Sequence, residues 1–268
     1  MKKLALLLVL LLISALPALA SGPVYDELPD LEGREVVIAV ENFYMPFQFN
    51  DPRADEPIGF EYDLVEEACE RLNCVPVYET TTFELQLTGV EAGEYDMAMN
   101  GLFVFPDRQE IYDFSVPYTQ SGTYLLVRAD EDRFGSLTEL AEIAEDQDLI
   151  YGAQTGNFNE EIGRSIYSIP EGQIVTYDEF GALLTALAQG DIDATAVDAF
   201  AGTFVSNSGD AFKLVGDPVV DPIDIALMFT KGSDLVEPFN AAIESMQADG
   251  YLDYLLYKWS VDFTPVAE

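Results

Sequence analysis

The sequence has no histidine, two cysteines, one tryptophan and only 12 lysines and arginines in 268 residues. With no imidazole, and with Cys69 and Cys74 as the only thiols, the composition argues against a zinc centre. No Gly-x-Ser-x-Gly elbow and no metal-ligand spacing occurs, so neither a resident metal nor a cofactor is expected. The acidic stretch DEDRFG (130–135) lacks the spacing of an EF-hand loop.

The shortage of basic residues leaves 49 acidic ones uncompensated, for a net charge of −37. Such a surface repels nucleic acid and anionic membrane, so no nucleic-acid partner is expected. It fits either a polycationic partner or solvation in a salty medium, where screening relieves self-repulsion. We favour the second, in which charge reports habitat rather than activity.

MKKLALLLVLLLISALPALA (1–20) is a long apolar run that follows two lysines and ends in Ala18-Leu19-Ala20. It reads as a cleavable signal peptide; a membrane anchor is the alternative, but the run is short for a span. No cysteine follows it for lipid attachment. A soluble, periplasmic protein is expected. SGPVYDELPDLEG (21–33) reads as a flexible leader.

The full chain is 49% hydrophobic and 12% aromatic, enough for real cores. REVVIAV (34–40) reads as a buried strand. Residues 61–73 read as a helix, because Val65, Ala68, Cys69 and Leu72 recur at i, i+3, i+4, i+7. A strand at 75–79, a helix near 84–92 and a strand near 95–100 follow. Further on, strands are expected at 149–153, 174–177 and 192–197, and helices at 157–168, 180–189 and 198–206. Two more helices close the chain, one lined by Phe239, Ala242, Ile243 and Met246, the other by Leu252, Leu255, Leu256 and Trp259. Alternating strands and helices imply parallel sheets flanked by helices. TYLLVRA (123–129) and IDIALMFT (223–230) are apolar strands suited to crossing between two lobes. Cys69 and Cys74 are five apart, too far round a continuous helix to pair. If the helix ends at Asn73 in left-handed geometry, they can form a disulfide; otherwise they are free thiols.

FELQLTGVEAGEYD (83–96) and FGALLTALAQGDID (180–193) match at an offset of 97. Both read as helix, glycine cap, short turn and strand. The same offset pairs Gly101 with Asp198, at the carboxyl ends of equivalent strands, where α/β sheets bind ligands.

These stretches together resemble the extracellular solute-binding proteins of family 3, the periplasmic amino-acid receptors of ABC transporters. GFEYDLVEEACERLN (59–73) resembles the family's helix signature. TFELQLTGVEAGEYDMAMNGLFVFPDRQEIYDFSVPY (82–118) resembles its central motif. YGAQTGNFNE (151–160) resembles its second-lobe glycine loop, and TYDEFGALLTALAQGDIDATAVDA (176–199) the motif ending in an acid. The resemblance implies an α/β fold of the type II periplasmic-binding-protein kind, two lobes joined by two hinge strands. Lobe 1 would comprise 34–121 and 224–268, lobe 2 would comprise 122–223, and the hinges would lie near 119–128 and 223–230.

It also implies roles. Arg108 would clamp a ligand carboxylate, since a guanidinium grips it with two parallel bonds. Otherwise it is a surface arginine paired with Asp107 or Glu110. Asp198 would take the ammonium, a role compatible with capping the next helix. Gly101 would approach the ligand main chain, and Gly156 and Asn157 would offer backbone N–H groups. Tyr44 and Phe83 would wall the pocket, unless Phe83 is core. Phe103 in the first lobe, and Asn157-Phe158 in the second, stand where the family has hydroxyls. Glu41 matches the position that meets a cationic side chain. The expected activity is capture of a polar amino acid, with a tilt towards a cationic one, by a monomer that hands it to a membrane permease. The alternatives are a ligand sensor for a membrane receptor, and a cyclohexadienyl-dehydratase-like enzyme using Glu41 or Glu84 as general acid.

Overall fold

The computed structural model describes residues 28–209 and 211–263; the stretches read as a signal peptide and most of the leader lie outside them. The strands are β1 (Arg34–Val40), β2 (Phe43–Tyr44), β3 (Gln48–Phe49), β4 (Cys74–Thr80), β5 (Met97–Ala98), β6 (Tyr112–Phe114), β7 (Thr119–Arg128), β8 (Tyr151–Gln154), β9 (Ile174–Tyr177), β10 (Ala194–Asp198), β11 (Phe212–Ile225) and β12 (Met228–Thr230). The α-helices are α1 (Phe60–Leu72), α2 (Phe83–Ala92), α3 (Pro106–Ile111), α4 (Leu137–Ile143), α5 (Phe158–Glu161), α6 (Phe180–Gln189), α7 (Ala199–Asn207), α8 (Val236–Asp249) and α9 (Tyr251–Tyr257).

Two five-stranded sheets result, ordered β4-β1-β5-β12-β6 and β11-β7-β10-β8-β9. Each defines a lobe. In the first, β1 runs parallel to β4 and β5; in the second, β8 runs parallel to β9 and β10. The chain leaves the first sheet after β6 and returns between β11 and β12. The two crossings brace each other: Tyr118 N donates to Ile225 O at 3.1 Å, and Ser115 N to Leu227 O at 2.9 Å.

Helix α1 shows how local chemistry sets the frame. Its Val65, Ala68, Cys69 and Leu72 are buried against the first-lobe core. Removing any one large apolar side chain there costs about 2–5 kcal/mol. The helix stops at Asn73, which adopts φ 54° and ψ 55°, and its N–H returns to Cys69 O. That turn brings Cys74 back to Cys69, and the two form a disulfide.

The two echoed segments fold alike. Helices α2 and α6 both end on a left-handed glycine, Gly93 and Gly190, and both lead into a central strand. Phe239, Ala242, Ile243 and Met246 are fully buried along α8, as their spacing predicts.

Four features depart from the sequence reading. Residues 28–33, expected to be part of a flexible leader, are docked: Leu31 N donates to Leu72 O and Gly33 N to Asn73 O, both at 2.7 Å. The expected helix over 157–168 is one α-turn, α5, followed by a π-turn at Ile162–Ile166. The run 223–230 is broken at Ala226–Leu227, where the chain changes sheets. Strand β11 begins at Phe212, although Gly216, Pro218 and Pro222 read as turn signals. It lies at the edge of its sheet, where proline withholds no needed donor and a register shift between Val215 and Val220 absorbs the glycine.

Candidate functional site

The carboxyl ends of β1, β5, β8 and β10 meet between the lobes. Asp198, the last residue of β10, is 2% exposed. Its Oδ1 accepts from Phe200 N at 2.9 Å, Ala201 N at 3.0 Å and Ser121 Oγ at 3.3 Å. That oxygen is fully used as the cap of α7. Its Oδ2 accepts from the hydroxyl of Tyr44, which reaches across from the first lobe. Burial pushes the Asp198 pKa above the usual carboxylate range, against the hydrogen bonds from Tyr44, Ala201, Phe200 and Ser121. A desolvated carboxylate with no cation beside it is a group that a cation would stabilise.

A cavity of about 20 Å³ lies beside Asp198. Of the residues singled out by sequence, Tyr44, Phe103, Asn157, Phe158 and Asp198 line it. Sequence reasoning missed Thr123, Asn159 and Ile162, which also line it, and did not assign Phe180 to it. No motif marks Thr123; only its pairing with Asp198 in the sheet reveals it.

Arg108 is half-buried on α3. Its Nη1 donates to Phe103 O at 3.3 Å, and its guanidinium lies 5.3 Å from the centre of the Phe105 ring. Neither Asp107 nor Glu110 forms an ion pair with it. Every other arginine among the described residues has a carboxylate partner. Burial lowers the Arg108 pKa, against the pull of Asp107. Arg108 does not itself line the cavity; Phe103 links the two, through its carbonyl to Arg108 and through its side chain to the cavity. Phe103, Phe105 and Phe158 cluster across the lobes, with ring centres 4.4 Å apart for Phe105 and Phe158 and 6.2 Å for Phe103 and Phe158. Phe103 and Phe158, on different lobes, are thus each other's neighbours.

Gly101 has φ 58°, and a Cβ there would lie 2.9 Å from the Tyr44 ring and 3.0 Å from Phe47. Its N–H donates to Glu61 Oε1 at 3.0 Å. Glu61, which the sequence reading passed over, is fully buried and also accepts from Tyr118 OH at 2.6 Å. Burial pushes its pKa up to about 7, and the negative charge of Asp198 adds to the shift.

Glu41, Phe83, Gly101 and Gly156 are not among the residues that line the cavity, whereas Asn157 is. Glu41 is 1% exposed; its Oε1 accepts from Gln154 Nε2 at 2.6 Å and Phe180 N at 3.2 Å, and its Oε2 from Asn100 Nδ2 at 2.8 Å. It joins the lobes. Phe83 packs in the core with Ala39, Val90, Ala98 and Tyr112. The N–H of Gly156 is committed to Glu160 Oε2 at 3.0 Å, and that of Asn157 to Gln154 O at 3.0 Å. Each group already has its partner within the chain.

The model of the bacterial extracellular solute-binding proteins, family 3, matches residues 36–262. The chain belongs to that family. Among relatives of this solute-binding protein is the L-cystine-binding protein TcyJ of Escherichia coli (strain K12). It is 26% identical over 226 residues, covering 84% of this chain and 82% of the relative. Among solved structures, the arginine-, lysine-, histidine-binding protein ArtJ from Geobacillus stearothermophilus superposes with a TM-score of 0.76 at 20% identity, over 87% of this chain and 97% of that one. The ancestral amino acid-binding protein AncCDT-1, a precursor of cyclohexadienyl dehydratase, gives 0.75 at 23% identity, over 84% and 95%. Both confirm the type II periplasmic-binding-protein fold.

Proposed function

We propose that this solute-binding protein captures an amino acid between its lobes and delivers it to a membrane permease. The observation that carries this is a pair of opposite charges with no ionic partner among the described residues: Asp198, buried in the cavity wall, and Arg108, which reaches the Phe103 carbonyl behind that wall. In a chain with 49 acidic residues, an unpaired half-buried arginine is a costly arrangement without a ligand carboxylate to meet it. The named relatives, which bind cystine or basic amino acids, support the same class. Export through the first twenty residues is part of this reading.

The geometry gives an enzyme little support. Glu41 is hydrogen-bonded at both oxygens and outside the cavity lining, Glu84 is exposed, and Glu61 is outside the lining too. Asp198 is the one acid among the lining residues, and the ligand ammonium needs it.

A thermal-shift panel in high salt tests the proposal. It takes the mature chain with the twenty amino acids, ornithine, cystine and prephenate. A ligand of the native state alone raises the melting temperature. A rise with one amino-acid subclass is expected; a rise with prephenate alone would move the enzyme reading ahead.

A further inference from the structure

Thr123 is 3% exposed, yet its Oγ1 has no hydrogen-bond partner among the described residues. A buried orphan hydroxyl is destabilising, and such groups are rare in well-packed proteins. This one lines the cavity. It is also the direct antiparallel partner of Asp198 across β7 and β10. Directly opposed residues share a face of the sheet, with Cβ atoms about 5 Å apart. Two residues before it, Ser121 holds Asp198 Oδ1 in place and receives Ala199 N at 2.9 Å. The same face of β7 therefore presents two hydroxyls to one carboxylate, one already used and one unused.

We propose that Thr123 Oγ1 is a ligand-binding group that, with Asp198 Oδ2, receives the ammonium of the bound amino acid. The inference rests on the amino-acid reading above. A primary ammonium has three N–H donors and no acceptor. In the cavity wall, Asp198 Oδ2 accepts one, once Tyr44 releases it, and Thr123 Oγ1 accepts a second. Phe103, on the first-lobe side of the cavity, offers no side-chain acceptor, whereas Thr123 brings one from β7. The pair also sets a ligand requirement. Nα-trimethylated amino acids have no N–H to share between two acceptors and are excluded.

The orphan state makes the test sharp, because stability and binding move in opposite directions. Thr123→Val removes an unsatisfied buried hydroxyl and keeps the branched shape; Thr123→Ser keeps the hydroxyl. Wild type and both variants are titrated calorimetrically with the twenty L-amino acids, ornithine and cystine, and with the Nα-trimethyl derivative of glycine as control. Thr123→Val is expected to melt a few degrees above wild type and to bind every accepted amino acid about tenfold more weakly. Thr123→Ser is expected to bind within about threefold of wild type. If wild type binds and Thr123→Val binds equally well, the inference falls and the amino-acid reading stands. If wild type binds none of the panel, or only the trimethyl control, both fall.

Discussion

The hydroxyl of Tyr44 donates to Asp198 Oδ2 across the cleft, so a first-lobe side chain holds the oxygen that the proposed ligand ammonium would take. The contact joins the lobes, and the stacking of Tyr44 on Phe47, ring centres 5.5 Å apart, holds it in position. Tyr44→Phe keeps the ring and removes the donor. A hydrogen bond to a buried charge contributes about 1.5–3 kcal/mol, enough to shift an open–closed equilibrium. The ligand-free variant is expected to show a larger radius of gyration by small-angle scattering than ligand-free wild type. Equal radii would contradict the role.

Glu61 sets a pH dependence of stability. Its folded pKa of about 7 lies above the ordinary glutamate value, so the native state holds a proton that the unfolded chain releases. The contribution is fully present below about pH 4.5 and is lost as pH rises through about 7, a difference of roughly 3 kcal/mol. Asp198 and Glu41 are shifted the same way by burial. Glu61→Gln is expected to melt above wild type near pH 8, with the gap closing towards about pH 5. A gap independent of pH would show that Glu61 does not titrate in this window.

The disulfide is a separate, purely structural prediction. Cys69 and Cys74 close a loop of sequence separation 5. The chain-entropy relation gives about 2 kcal/mol for so small a loop. The double variant Cys69→Ala, Cys74→Ala is expected to melt about 5 °C lower with ligand affinity unchanged. A loss of affinity would mean that the α1–β4 turn also shapes the cleft.

Net charge predicts the salt response. At −37, self-repulsion opposes compaction, and salt shortens its range from about 10 Å at 0.1 M to about 3 Å at 1 M. Melting temperature is expected to rise steadily over that interval; a flat response would remove the screening account.

Much of this was legible in the sequence because the physics was local. The end of α1 at Asn73, the glycine caps after α2 and α6, and the buried face of α8 each follow from a few neighbouring residues. What stayed hidden depends on residues far apart. Thr123 meets Asp198 only through a strand pairing, Gln154 meets Glu41 only across the lobes, and Glu61 gains its environment from Tyr118 and Gly101. Strand β11 was hidden for another reason: its prolines are tolerated only because it is an edge.

The central claim is that one ligand bridges Arg108 and Asp198. Its most direct test is calorimetric titration of Arg108→Ala and Asp198→Ala with the amino acid that gives the largest shift in the thermal panel. Each variant is expected to bind about tenfold or more weakly than wild type, because each loses a charge-assisted contact to the ligand. Undiminished binding by either variant would contradict the account at that end of the ligand.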